Sequence, residues 1–225
     1  YILPTSDEEA LALSDKEIEI KKLGCKLLCS SNKVLNIISN KISAYEHLGR
    51  KNKYVPFYKK IKNFEQMKKD IPKVLKKYNS IVFKPASERG GRGVFIISNK
   101  KKNNNIVTRE TSIELNEFIS KKKEEFENFF PALIMQELKK PVHDLDLLSN
   151  KGKAILIIPR KRVSSEDPNK GHMIIKNKIL REMGERLIEK FNLSWLHDCD
   201  IMFGYDNKPY LLEINPRPSG SCAIP

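Results

Sequence analysis

Apolar Leu11, Ile18 and Ile20 recur among charged positions and Gly24 closes the run, which predicts a helix over Glu8 to Lys22. Lys26-Leu27-Leu28-Cys29 reads as a short buried strand, and Asn32 to Leu48 as a second helix. Pro56 opens a loop, and Asn63 caps a third helix, Phe64 to Tyr78, with Pro72 as the point where it could break. The pattern then shortens. Ile81–Phe83 and Val94–Ile97 read as a hairpin across a long, polar, glycine-rich loop. A helix is predicted over about Ser112 to Phe126 and a strand over Ala132 to Glu137. Asp144–Leu148 and Ala154–Pro159 flank the turn Asn150-Lys151-Gly152-Lys153, and a long helix spans Met173 to Phe191. The last hairpin runs from Cys199–Tyr205 through Asp206-Asn207 to Tyr210–Asn215. Several antiparallel hairpins among helices predict an α+β fold, not a doubly wound sheet. No repeat of solenoid length is visible.

Composition narrows the class. The 225 residues are 40% hydrophobic and 31% charged, which suits a globular chain with a real core. No run approaches the roughly twenty apolar residues of a membrane helix. The opening Tyr1-Ile2-Leu3-Pro4-Thr5-Ser6-Asp7 lacks a charged n-region and a cleavage site, so no signal peptide is expected. It reads as a strand end running into a loop, as if the chain began mid-domain. Cys25, Cys29, Cys199 and Cys222 include no CxxC pair, so neither a zinc site nor a disulfide framework is expected, and cytoplasmic location is the default. The net charge of +14 admits phosphate or nucleic-acid partners. Runs such as Lys100-Lys101-Lys102-Asn103-Asn104-Asn105 and Lys121-Lys122-Lys123 read instead as solvated loops and helix faces, and no basic motif interleaved with aromatics supports nucleic-acid binding.

Three segments carry chemistry. In Lys84-Pro85-Ala86-Ser87-Glu88-Arg89-Gly90-Gly91-Arg92-Gly93-Val94 a lysine ends one strand, glycines follow, and another strand begins. Glycine lets backbone N–H groups approach a phosphate closely, and Arg89 and Arg92 add positive charge. The segment is neither a Walker A loop nor a Rossmann fingerprint. In Leu211-Leu212-Glu213-Ile214-Asn215-Pro216-Arg217, alternation puts Glu213, Asn215 and, where the strand direction persists past Pro216, Arg217 on one strand face, with the leucines and Ile214 opposite. A carboxylate and an amide oxygen two residues apart suit Mg²⁺. A turn at Asp206-Asn207 places Asp200 opposite Glu213, whereas a turn at Asn207-Lys208 places Met202 there. In Ile158-Pro159-Arg160-Lys161-Arg162, Arg160 and Arg162 share a face able to bind an anion.

In this order and spacing, the Lys-Pro and glycine-rich loop, the strand ending Met135-Gln136-Glu137, the hairpin ending Pro-Arg-Lys-Arg and the final Leu-Glu-Ile-Asn-Pro-Arg-Pro-Ser-Gly-Ser resemble the ATP-grasp superfamily. Among its members the chain is most similar to carboxylate–amine ligases like the carbamoyl phosphate synthetase large subunit. The resemblance implies two α+β subdomains clasping ATP, preceded by the tail of a Rossmann-like domain. It divides the chain into that tail (1–31), a helical linker and the start of the ATP-grasp fold (32–79), a small lid subdomain (80–138) and a large subdomain (139–225). It implies ATP and Mg²⁺ or Mn²⁺ as cofactors and small-molecule carboxylate and amine substrates, and it leaves room for a homodimer. Lys41 and Lys84 then reach the nucleotide, Gly90, Gly91, Arg92 and Gly93 fold over its phosphates, and Gln136, Glu137 and Leu138 line the adenine. Glu213 and Asn215 hold the metal with Asp200, and Arg217, with Arg160 or Arg162, stabilises the transferring phosphoryl group. Two positions depart from the family pattern. Val142 stands where a glutamate usually bonds the ribose, with Asp144 or Asp146 as substitutes, and Met202 aligns with the first metal ligand. These departures leave one alternative, a nucleotide-binding module without turnover, and the basic charge leaves a second, a nucleic-acid-binding protein.

Overall fold

The computed structural model describes residues 1–86, 92–100, 110–164 and 170–221. The chain forms two units, one of residues 1–55 with 139–225 and a smaller one of residues 56–138. Residues 32–79, expected as one segment, are therefore divided between them.

In the larger unit the first predicted helix is two. Ser6 and Glu9 close a capping box at the start of α1 (Asp7–Asp15), and the backbone breaks at Lys16 before α2 (Glu17–Lys22). The expected strand at Lys26–Cys29 is reduced to a parallel bridge between Ile2 and Leu27. The second predicted helix is also two, α3 (Asn32–Ile38) and α4 (Lys41–Leu48). Asn40 leaves helical geometry, and its side chain accepts from the N–H groups of Ile42 and Ser43, so a new helix starts at Lys41.

The smaller unit holds β1 (Tyr58–Ile61), α5 (Phe64–Leu75), β2 (Ser80–Pro85), β3 (Phe95–Ser98), β4 (Thr111–Glu114), α6 (Leu115–Ser120), a 3-10 helix (Lys123–Phe129) and β5 (Ala132–Gln136). Its sheet runs β1-β5-β2-β3-β4. Asn63 caps α5 by accepting from Gln66 N–H, and the helix passes through Pro72 to end at Leu75. Phe64, Met67, Ile71 and Val74 form its apolar stripe and pack with Phe83, Phe118 and Phe126 in one core. The helix expected over Ser112 to Phe126 is split, because Thr111–Glu114 pairs in parallel with β3. Local helical pattern yields there to a non-local ladder.

The larger unit continues with β6 (Lys139–Asn150), β7 (Lys153–Arg162), β8 (His172–Ile174), α7 (Lys178–Phe191), β9 (Trp195–Phe203) and β10 (Pro209–Asn215), in the order β10-β9-β6-β7-β8. The long helix begins five residues later than expected. His172–Ile174 joins β7 as a strand, and the Asn177 side chain, accepting from Leu180 N–H, starts α7. Leu147 and Ile157 lie against Gly184 of α7, where an added Cβ would stand 3.0–3.2 Å from their methyl groups. One sheet face is thus sealed by helix packing. Alternation sends Asp144, Asp146, Arg160, Arg162, Asp198 and Asp200 to the other face. No helix among the described residues is long and apolar enough to cross a membrane.

Candidate functional site

The polar face of the larger sheet depends on a bulge. The last hairpin turns through Gly204–Lys208, five residues instead of two, and pairs Phe203 with Pro209 and Ile201 with Leu211. Continued unbroken, that register would put Glu213 opposite Cys199, whose side chain faces the helix-covered core. Instead the register shifts between Leu211 and Glu213, leaving Leu212 unpaired, and Glu213 lies opposite Asp200 with Asn215 opposite Asp198. The first sequence alternative is therefore realised, by a route the turn alone does not provide. Met202 faces Tyr210. The wholly buried Tyr45 pins the bulge: its hydroxyl lies 2.9 Å from Leu211 O and 3.1 Å from Leu212 O and donates between them.

Around Glu213 the charges interlock. Lys41 Nζ stands 2.9 Å from Glu213 Oε2, and Lys41 is buried, placed there by the Asn40 cap. Arg162 Nη2 lies 2.7 Å from Asp144 Oδ1 and 3.0 Å from Asp200 Oδ1. Arg160 pairs with Asp146, at 2.8 Å through Nη2, and donates to Ser221. The two arginines expected to await an anion are thus engaged by acids of the neighbouring strands. Asp144, expected at the ribose, is 1% exposed and held by Arg162 and by His172 Nε2 at 3.2 Å, so it lies inside the sheet-face cluster. Arg217 is tied back to the first helix, its Nε 3.0 Å from Asp7 Oδ1.

Burial sets the protonation states. It pushes the Asp200 carboxyl up to about 7, against Arg162 and helped by Glu213 and Asp144. Burial, then repulsion from Asp200, Asp144 and Asp146, lifts Asp198 well above the usual carboxylate range. Asp146 rises too, chiefly through burial, although Arg160 opposes the rise. Burial opposes the Arg162 charge, but Asp200 and Asp144 outweigh it and hold the guanidinium protonated above its ordinary range. His172 is shifted down by burial, so its imidazole is biased to the neutral form.

Asp198 was missing from the sequence reading, because the strand was started at Cys199. It begins at Trp195, and period two then puts Asp198 beside Asp200. Ligand oxygens of Asp144, Asp198 and Asp200 lie within 4.8 Å of one another. Asn215 Nδ2 donates to Asp198 Oδ2 at 3.1 Å, while the buried Asp198 Oδ1 has no hydrogen-bond partner among the described residues. Hard oxygen donors around an orphaned buried oxygen fit a hard divalent cation.

The remaining predicted residues belong to the smaller unit. Lys84 is buried near the end of β2. Gln136 and Phe57 exchange two hydrogen bonds, Phe57 N–H to Gln136 Oε1 and Gln136 N–H to Phe57 O. Glu137 accepts from the Ser80 hydroxyl, and Leu138 is buried. Gly90 and Gly91 lie outside the described residues, whereas Arg92 and Gly93 form a turn. Gly93 has φ +67°, and an added Cβ would meet the Phe129 ring at 2.9 Å and Pro85 at 3.0 Å, so only glycine fits there.

Comparison with known proteins bears on the fold and the family. Residues 33–139 match a family model described as YheC/D-like ATP-grasp, and residues 128–224 match one described as ATP-grasp in the biosynthetic pathway with Ter operon. An uncharacterised protein of Methanocaldococcus jannaschii is 26% identical over 193 residues, covering 84% of this chain and 43% of that protein. The D-alanine–D-alanine ligase of Bacillus anthracis complexed with ATP superposes with a TM-score of 0.59 at 19% identity, covering 89% of this chain and 62% of the ligase. The biotin carboxylase domain dimer of the Hydrogenobacter thermophilus 2-oxoglutarate carboxylase, in complex with MgADP, ADP and bicarbonate, gives 0.63 at 17% identity, over 94% of this chain and 47% of that one. The chain thus spans less than two thirds of each of these relatives. Neither family match alone reaches half of the chain, but both are to ATP-grasp models and together they run from residue 33 to 224, over the α+β fold described above. The chain belongs to the ATP-grasp superfamily.

Proposed function

We propose that this chain is the nucleotide-binding, catalytic part of an ATP- and Mg²⁺-dependent ligase that joins a carboxylate to an amine. The observation that carries the reading is the pairing of Glu213 with Asp200 across β9 and β10, with Asn215 and Lys41 beside them. The solved relatives complexed with ATP and with MgADP support the nucleotide and the ion.

In this reading the γ-phosphoryl group of ATP passes to a carboxylate oxygen, giving ADP and an acyl phosphate. The amine nitrogen attacks the acyl carbon, phosphate leaves, and the nitrogen gives up a proton. The chain has little covalent work to do, so positioning and charge compensation dominate. Asp200, Glu213 and Asn215 would hold Mg²⁺ or Mn²⁺, which draws charge from the phosphate oxygens when bound. Lys41 faces the phosphates, Lys84 the α-phosphate and adenine, and Gln136, Glu137 and Leu138 the adenine. Arg92 would add charge toward the β- and γ-phosphates. Arg217, steadied by Asp7, meets the transferring group. Arg160 and Arg162 act one step back, by fixing Asp146, Asp144 and Asp200.

The test is phosphate release from ATP and Mg²⁺ with a panel of carboxylic acids and amines. Release that requires both an acid and an amine supports the ligase. ATP binding without stimulated release would favour the second reading, a nucleotide-binding module without turnover. The engagement of Asp144 and Asp200 by Arg162 is the observation behind that alternative.

A further inference from the structure

We infer that Asp198 and Asp200, with Asp144, form a divalent-cation site that fills in the absence of nucleotide and does not depend on Glu213. The first observation is a charge imbalance. Asp144, Asp146, Asp198 and Asp200 share one sheet face, and among the described residues Arg160, Arg162 and the His172 imidazole lie against them. When ionised, the four carboxylates outnumber the two guanidiniums that lie against them among the described residues. Buried charge without a counterion is costly, so the imbalance calls for compensation.

The second observation is the Asp198 side chain. The residue is 4% exposed, Asn215 serves one of its oxygens, and the other has no hydrogen-bond partner among the described residues. An unsatisfied buried acceptor is rare and asks for a ligand. The third is size. One oxygen from each of Asp144, Asp198 and Asp200 falls within 4.8 Å of the others. Oxygens bound to one Ca²⁺-sized ion at roughly 2.3–2.6 Å can stand about 5 Å apart, whereas Mg²⁺, at about 2.1 Å, draws its ligands closer. A spacing of at most 4.8 Å lets one divalent ion, Mn²⁺ included, meet all three carboxylates after a small inward movement.

The inference does not rest on the ligase reading, and its test reads no turnover. Mn²⁺ is titrated into the chain at pH 8 without nucleotide, and free ion is followed by its electron paramagnetic resonance signal. One Mn²⁺ per chain is expected. Asp198→Asn should weaken binding at least about tenfold, whereas Glu213→Gln should stay within about twofold of the parent. No saturable binding to the parent, or equal binding by Asp198→Asn, would overturn the site. An equal loss in both variants would overturn it too, by merging it with the nucleotide-linked metal. Asp198→Asn keeps the shape and removes a buried charge; circular dichroism checks its fold. Independently, Mn²⁺ should raise the melting temperature of Glu213→Gln, and an unchanged melting temperature counts against the site.

Discussion

Arg217 Nε stands 3.0 Å from Asp7 Oδ1, so the arginine that follows the Asn-Pro step of the final strand is fixed by the first turn of the first helix. Asp7 is buried and Arg217 partly so, which makes the pair worth more than an exposed one. Asp7 also sits where a helix favours negative charge. If Arg217 steadies the transferring phosphoryl group, Asp7→Ala should lower kcat for acid- and amine-dependent phosphate release about tenfold, roughly 1.4 kcal/mol. The KM for ATP should change little. An unaltered kcat would show that Arg217 needs no tether.

The bulge at Leu212 gives a second prediction. Tyr45 donates to the carbonyls of Leu211 and Leu212 at the bulge, and its side chain is fully buried. Tyr45→Phe keeps the ring and removes the donor. Leaving buried carbonyls unsatisfied costs about 1–3 kcal/mol. The midpoint of denaturant unfolding should fall accordingly, with the slope unchanged. A midpoint equal to that of the parent would mean that the bulge holds without its hydroxyl.

These two features mark the limit of what the chain reveals in one dimension. The Asn63 cap, the β2–β3 hairpin and the closing β9–β10 hairpin were legible, because each rests on residues close in sequence. The placement of Glu213 was legible only as two alternatives, since a bulge is set by a partner strand and by Tyr45, 166 residues from Leu211. Asp198 was missed for a related reason, its strand starting at Trp195 with φ +68°, a backbone state no local rule predicts for tryptophan. Likewise β4 and β8 carry helix-like patterns, and pairing with β3 and β7 decides them. The pairing of Arg160 and Arg162 with β6 and β9 acids needed the sheet order, which the sequence does not state.

Lys84 tests the nucleotide assignment in the smaller unit. It is buried near the end of β2, where a lysine is costly unless its charge is used. Lys84→Ala should weaken ATP binding at least about tenfold, about 1.4 kcal/mol, by calorimetry. Unchanged affinity would assign the lysine to the fold alone.

His197 makes a prediction about pH that is independent of any ligand. Its ring is 1% exposed, with Nε2 3.2 Å from the Ser30 hydroxyl, which also accepts from Ser194 N–H. Burial pushes its pKa down to about 4, only weakly opposed by the Trp195 backbone. In the unfolded chain the imidazole titrates near its ordinary 6.5. Between these values the unfolded state binds a proton that the folded state does not, so acid favours unfolding. The contribution of neutral His197 is complete above pH 6.5 and is lost as pH falls towards 4. The slope approaches about 1.4 kcal/mol per pH unit, for a total on the order of 3 kcal/mol. His197→Gln removes the titration while leaving a polar group for Ser30. The stability difference between parent and variant should therefore shift against the parent as pH falls from 6.5 to 4. A difference that stays flat across that window would mean the imidazole is reached by water or by a counter-charge when the solution is acidified.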